Sequence, residues 1–177
     1  MLKIIFFKKY CITFVRTNIV FTSMQIEDAI KSIHTLAIST KTVVNMMYTS
    51  RAIEEAIVSV LKQYGLSTPQ YNVLRILRGQ HGNPANLSTL QDRMIDKNSN
   101  TTRLVDKLIN KGWVKRNVCE QNRRKIEMFI TDDGLKILKQ LDPIIEQNNK
   151  NILRNLTNNE LEHLNKLLDK LRTFKTE

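Results

Sequence analysis

Helix-breaking residues are so sparse in this chain that they set its fold class before any motif is read. Five glycines and three prolines punctuate 177 residues. That spacing leaves few turns, favours long helices and excludes a many-stranded sandwich or barrel. A hydrophobic share of 41% suffices for a packed core and is too high for a disordered chain. No run approaches the ~18 apolar residues of a membrane-spanning helix; the expected location is cytoplasmic with no membrane partner, although charge alone does not separate nucleic acid from a membrane surface. Cys11 and Cys119 cannot build a disulfide scaffold. With His34, His81 and His163 they show no zinc spacing, so neither a metal nor a cofactor is expected. The net charge of +11 points to an anionic partner.

The first 23 residues differ from the rest. They carry Lys3, Lys8, Lys9 and Arg16, no acid, and five of the eleven aromatics. The charges divide every apolar stretch to about four residues, shorter than the ~7–15 of a signal peptide. Residues 1–23 are therefore read as a doubtful basic N-terminal extension, with translation expected to start at Met24. A basic arm for DNA or a membrane surface is the competing reading.

Downstream, periodicity and stop signals mark the elements. Ile26, Ala29, Ile30, Ile33 and Ala37 keep a helical period. A stronger stripe of Val43, Met46, Met47, Ile53, Ala56, Ile57, Val60 and Leu61 ends at Gly65. Thr68 is the expected N-cap of the next helix, with Pro69 in its first turn and Gly79 at its end. Ser88 to Gln91 has a capping-box pattern that starts another helix. A fourth helix is expected over 98–110, closed by Gly112. Trp113-Val114 and Ile126 to Ile130 read as strands around a basic turn from Arg116 to Lys125. Thr131 caps a long helix that should bend or restart near Pro143. Thr157 to Glu160 is a second capping box, and Leu161, Leu164, Leu168 and Leu171 follow at helical spacing.

The chemistry is concentrated between Asn98 and Lys125, where eight basic residues face two acids. On a helical wheel Thr101, Leu104, Val105 and Leu108 share one side. Ser99, Asn100, Arg103, Asp106, Lys107 and Asn110 share the other. Small polar groups with Arg suit base edges in a major groove, and Lys suits phosphates. An ordinary solvated helix face would look the same. The strand, basic turn and strand that follow add a wing, whose arginines suit a minor groove.

These strings resemble the multiple-antibiotic-resistance regulators, the MarR family. The matching segments are Leu66 to Leu77, Leu87 to Leu90, Thr102 to Gly112, Asn122-Arg123-Arg124 and Ile130 to Gly134. The resemblance spans roughly residues 42 to 172. It implies a mostly α (α+β) fold: a winged helix-turn-helix with long N- and C-terminal dimerisation helices and a two-stranded wing. It divides the chain into N-terminal dimerisation helices at 24–65, a DNA-binding lobe at 66–131 and C-terminal dimerisation helices at 132–177. It also implies a homodimeric, sequence-specific regulator of transcription, mostly a repressor, on a palindromic double-stranded DNA operator. Family members often lose DNA affinity on binding a small-molecule inducer or on oxidation. The expected DNA contacts are Ser99, Asn100, Thr102, Arg103, Lys107, Arg123 and Arg124. Asn122 departs from the family's Asp before the paired arginines and offers no charge to orient the wing. Thr101 stands where relatives tend to be apolar.

Each residue has a plainer reading. Arg103 could pair with Asp106, Arg124 could tie the wing to the body, and Ser99, Asn100 and Thr102 could simply cap a helix. Trp113 reads as core beneath the wing. Met46, Met47 and Tyr48 read as core or dimer contact before ligand pocket. Cys119 lies among cations that favour a thiolate, which makes a redox switch a minor alternative. No Gly-rich phosphate loop, nucleophile elbow or catalytic acid pair is present, so no enzyme and no catalytic residue is expected. The rival class is a nonspecific basic binder of DNA or a membrane surface.

Overall fold

The computed structural model describes residues 24–119 and 122–175, apart from the side chains of residues 119, 122–125, 174 and 175. The expectations for residues 1–23, Cys11 included, and for the side chains of Cys119, Arg123 and Arg124 lie outside the described residues. The elements in chain order are α1 (Ile26–Ala29), α2 (Ile38–Lys62), α3 (Thr68–Arg78), α4 (Leu87–Arg93), α5 (Thr101–Asn110), β1 (Val114–Cys119), β2 (Asn122–Ile130), α6 (Asp132–Leu153) and α7 (Asn158–Leu171). A short 3-10 turn, Arg172–Lys175, follows α7. Among the described residues the fold is mostly helical with one two-stranded antiparallel sheet. Two compact units part between Tyr48 and Thr49, within α2.

In the first unit the helix expected from Ile26 to Ala37 is a single turn. Lys31 adopts φ 56, and the Ser32 hydroxyl donates to the His34 carbonyl at 2.8 Å. Such a local side-chain bond offers the backbone an alternative to the helical ladder. Lys41 ties the turn to the start of α2. Its Nζ lies 3.0 Å from Glu27 Oε2 and 3.2 Å from Gln25 Oε1. That ammonium holds the Glu27 carboxyl below its usual range. Ile38, Val43, Met47 and Tyr48 are all exposed on α2. Met47 and Tyr48 are thus not core of this chain, as one sequence reading had them, and Met46 is half-buried.

The second unit holds a continuous core. Val73, Leu74, Ile76 and Leu77 of α3 meet Leu90 of α4, Val105 and Leu108 of α5, and Val114 and Met128 of the hairpin. Leu61 from α2 and Leu138, Leu141 and Ile145 from α6 complete it. Ala85 forms a backbone bridge with Met128, its N–H donating at 3.0 Å and its carbonyl accepting at 2.8 Å. This bridge flanks β2 on the side away from β1.

Three helix starts differ from expectation, each for a reason of side-chain reach. Ser67, not Thr68, caps α3, because Gln70 reaches back from the third helical position to close a reciprocal box. From Thr68 the equivalent position is Tyr71, which offers no such acceptor. Asn86, not Ser88, caps α4; its Oδ1 accepts from the Thr89 N–H and from the hydroxyls of Ser88 and Thr89. The fourth helix begins at Thr101 rather than 98, because Asp96 holds Asn98 and Ser99 in a turn. The strands are also longer than expected. Much of the Arg116 to Lys125 turn is strand, and only residues 120 and 121 separate β1 from β2. Finally, α6 does not restart at Pro143. Leu138, Leu141 and Ile145, buried on either side of it, offset the ~3 kcal/mol that an interior proline costs.

Candidate nucleic-acid interface

The site grows from the turn before α5. Asp96 Oδ1 accepts from the Asn98 N–H at 3.0 Å, and Oδ2 accepts from the Ser99 hydroxyl at 2.7 Å. Lys97 Nζ reaches back to the carbonyls of Gln91 and Asp92 and closes the turn onto α4. Asn100 then caps α5, its Oδ1 accepting from the Arg103 N–H at 3.1 Å. The plainer readings of Ser99 and Asn100 are therefore real: one stabilises the turn and the other the helix start. Thr101 is buried and donates its hydroxyl to the Ser99 carbonyl at 3.3 Å, so its polarity is satisfied.

Thr101, Val105 and Leu108 face the core, and α5 leaves Thr102, Arg103, Lys107 and Asn110 exposed. Asp106, which could have neutralised Arg103, is instead held by Arg116 of β1, Nη1 to Oδ1 3.1 Å. This exposed pair is worth at most about 1 kcal/mol of stability, but it ties helix to wing. Lys111 donates from Nζ to the Gly65 carbonyl at 2.7 Å and lies 4.7 Å from the centre of the Trp113 ring. Trp113 itself is half-buried against the core, as its core reading requires. Lys115 lies over Phe129 at 5.7 Å. The basic segment is thus sorted. Lys111, Lys115 and Arg116 have partners within the fold, and Arg103 and Lys107 present their charge on the open face of α5. Arg123 and Arg124 fall within β2.

The wing is an antiparallel hairpin in which Val114 faces Ile130, Arg116 faces Met128 and Val118 faces Ile126. These three pairs share one face, since alternate residues of a strand point the same way. Lys115, Asn117, Glu127 and Phe129 occupy the other.

A groove of about 440 Å³ opens between α3 and α6, and the sequence reading missed it. Tyr71, Arg75 and Arg78 line one wall; Asp142, Pro143, Ile145, Glu146 and Asn149 line the other. Arg78 Nη1 donates to Asp142 Oδ2 at 2.7 Å, which pushes the guanidinium pKa further up. Burial pushes the Tyr71 phenol up, and Arg75 lies 5.8 Å from its ring. Its residues are 64 or more positions apart in places, and no local pattern announces such a meeting. Among the described residues, no group of acids, histidines or cysteines is arranged to hold a metal ion, and no helix is long and apolar enough to cross a membrane.

Comparison with known proteins places this geometry. The model of the MarR family matches residues 66–126. A crystal structure of a MarR transcription factor from Planctomyces limnophilus is 30% identical and covers 77% of this chain and 98% of its own, with a TM-score of 0.61. The HTH-type transcriptional regulator PecS of Dickeya dadantii (strain 3937) is 29% identical over 124 residues, 69% of this chain and 74% of that protein. The organohalide-sensing regulator RdhR-CbdbA1625, in a 2,4-dichlorophenol-bound form, superposes with a TM-score of 0.73 at 20% identity, covering 89% of each chain.

Proposed function

The chain belongs to the MarR family of DNA-binding transcription regulators, which are not enzymes, and from that premise we propose that it is a ligand-responsive repressor that grips a palindromic operator as a homodimer. The observation that carries the reading is the sorted charge of α5. Arg103 and Lys107 are exposed on the face opposite the buried Val105 and Leu108, and Asp106, which lies between them in sequence, is taken by Arg116. On this reading α5 lies in the major groove, Arg103 reads a base edge, and Lys107 neutralises phosphate. Thr102, Asn100 and Ser99 sit at the entering end, the last two with their remaining hydrogen-bonding capacity. Arg123 and Arg124 carry the wing's charge to the flanking backbone. The segments 24–65 and 132–177 serve dimerisation and 66–131 is the DNA-binding lobe, acting in the cytoplasm.

Two substitutions separate the roles. Arg103→Ala is expected to cost about 1–3 kcal/mol on a duplex selected from randomised DNA and to relax preference at one position. Arg123→Ala is expected to weaken binding to all sequences alike and to flatten the salt dependence by about one charge. The readout is affinity on selected and unselected duplexes across a salt series. A protein that binds both duplexes equally would be the nonspecific basic binder instead.

The groove between α3 and α6 is the proposed effector site. It sets Tyr71, Pro143 and Ile145 beside Arg75, the Arg78–Asp142 pair, Glu146 and Asn149, so a small aromatic ligand would meet a few apolar side chains within a largely polar lining. With 2,4-dichlorophenol as probe, the wild-type protein is expected to melt at a higher temperature and Arg75→Ala to shift less. An equal shift in both proteins would place the probe elsewhere.

A further inference from the structure

The hairpin carries an apolar pair that the fold does not use. Val118 and Ile126 face each other across β1 and β2, yet Val118 is 59% and Ile126 48% exposed. Two residues back along each strand the same face is occupied by Arg116 and by Met128, which is 3% exposed. The core therefore stops at Met128, and the pair sits about 7 Å farther out along the wing. The direction of this face is set by Arg116, whose guanidinium meets Asp106 on α5. Val118 and Ile126 thus occupy the side of the wing that looks toward α5.

The sequence of the hairpin end that carries the pair is rich in basic residues. Arg116, on the same face, is held by Asp106, and Arg123, Arg124 and Lys125 precede Ile126 in β2. A polyanion is the occupant such a setting attracts. Within a nucleic-acid backbone, the apolar surface between successive phosphates is the sugar edge. We propose that Val118 and Ile126 form a platform for the deoxyribose edges of the DNA backbone between the groove entered by α5 and the flanking groove reached by the wing. This inference rests on the reading of the hairpin as a DNA-contacting wing. It adds a contact without charge, which limits how far the wing can tilt while its cations engage phosphates. The platform reads no base, so it strengthens binding to every sequence alike.

The test replaces both residues by threonine, which keeps the β-branching that strands favour and substitutes a hydroxyl for an apolar group. Affinity is measured on a selected duplex and on an unselected duplex of equal length across a salt series, with hydroxyl-radical footprints of the deoxyribose positions. The double variant V118T/I126T is expected to bind both duplexes about ten-fold more weakly, the scale of two small apolar surfaces left wet. Its salt slope should match the wild type, and the flanking protection should fade. Val118→Ile should retain wild-type affinity. Wild-type affinity and flanking protection in the double variant would overturn the platform and leave the wing reading standing. A flattened salt slope would overturn it in favour of a charge contact, and a lowered melting temperature in favour of a folding role. Absence of flanking protection in the wild type would instead remove the wing reading, and the platform with it.

Discussion

Gly134→Ala is expected to destabilise the protein by about 3 kcal/mol, near the upper end of what one excess methyl costs in a packed interior. The expectation runs against helix propensity, by which alanine inside α6 should gain close to 1 kcal/mol over glycine. Space decides the sign. A Cβ at position 134 would overlap the Trp113 carbonyl oxygen and lie 2.7 Å from Ile130 Cγ1. The first turn of α6 is pressed against the end of α5 and the start of β1 by Thr131. That residue donates its N–H to the Trp113 carbonyl at 3.0 Å and its hydroxyl to the Gly112 carbonyl at 2.6 Å. The same hydroxyl oxygen accepts from the Gly134 N–H at 3.1 Å. A methyl group at 134 cannot be accommodated by a rotamer change, because one obstacle is backbone. Gly79→Ala provides the contrast. There the nearest atoms to an added Cβ are 3.5 Å away and φ is −69, so alanine should be neutral or stabilise by a few tenths of a kcal/mol. Urea midpoints of the two variants should therefore move apart. A Gly134→Ala protein as stable as the wild type would show that α6 does not press on the wing as closely as this geometry requires.

The same residues show what a sequence can and cannot disclose. The order of helices, the hairpin and the charge of α5 are written in local spacing, and each was legible. Thr131 and Thr157 were identified as caps because the pattern extends only three residues. The caps at Ser67 and Asn86 were misplaced because neighbouring Ser and Thr residues present the same chemistry, and only the reach of Gln70 or the convergence of three donors on Asn86 decides between them. The α5 start was placed early because Asp96 binds its turn from outside the expected helix. Arg116 and Lys111 were counted with the basic surface, yet their partners come from positions 106 and 65, fixed by tertiary approach. The groove between α3 and α6 was invisible for the same reason. The close approach at Gly134 was invisible too, since no local pattern shows that the Trp113 carbonyl lies beside it.

The largest functional effect is expected from charges placed on α7. No residue of this helix is buried within the chain, and Leu164, Leu167 and Leu171 are 39%, 50% and 44% exposed. A reciprocal capping box at Thr157 and Glu160 fixes its start, so the helix presents this stripe in a defined orientation. Apolar side chains repeated along one face of a well-capped helix call for a partner surface. On the proposed reading that surface belongs to a second copy, and two α5 helices then meet half-sites about 34 Å apart. Leu164→Asp combined with Leu167→Asp should give a monomer at micromolar concentration by sedimentation, because each carboxylate would have to be buried without a partner. The monomer can engage only one half-site. Its affinity for a selected palindromic duplex should fall by about a hundred- to a thousand-fold, the contribution of tethering a second site. Binding to a single half-site should change little, which separates loss of assembly from damage to α5. Glu162→Ala, on the same helix, should leave the dimer intact. A wild-type protein that sediments as a monomer and binds the palindrome as one would remove the dimer from this reading. So would a double variant that stays dimeric with undiminished affinity, since the leucine stripe would then serve some purpose other than pairing two DNA-binding lobes.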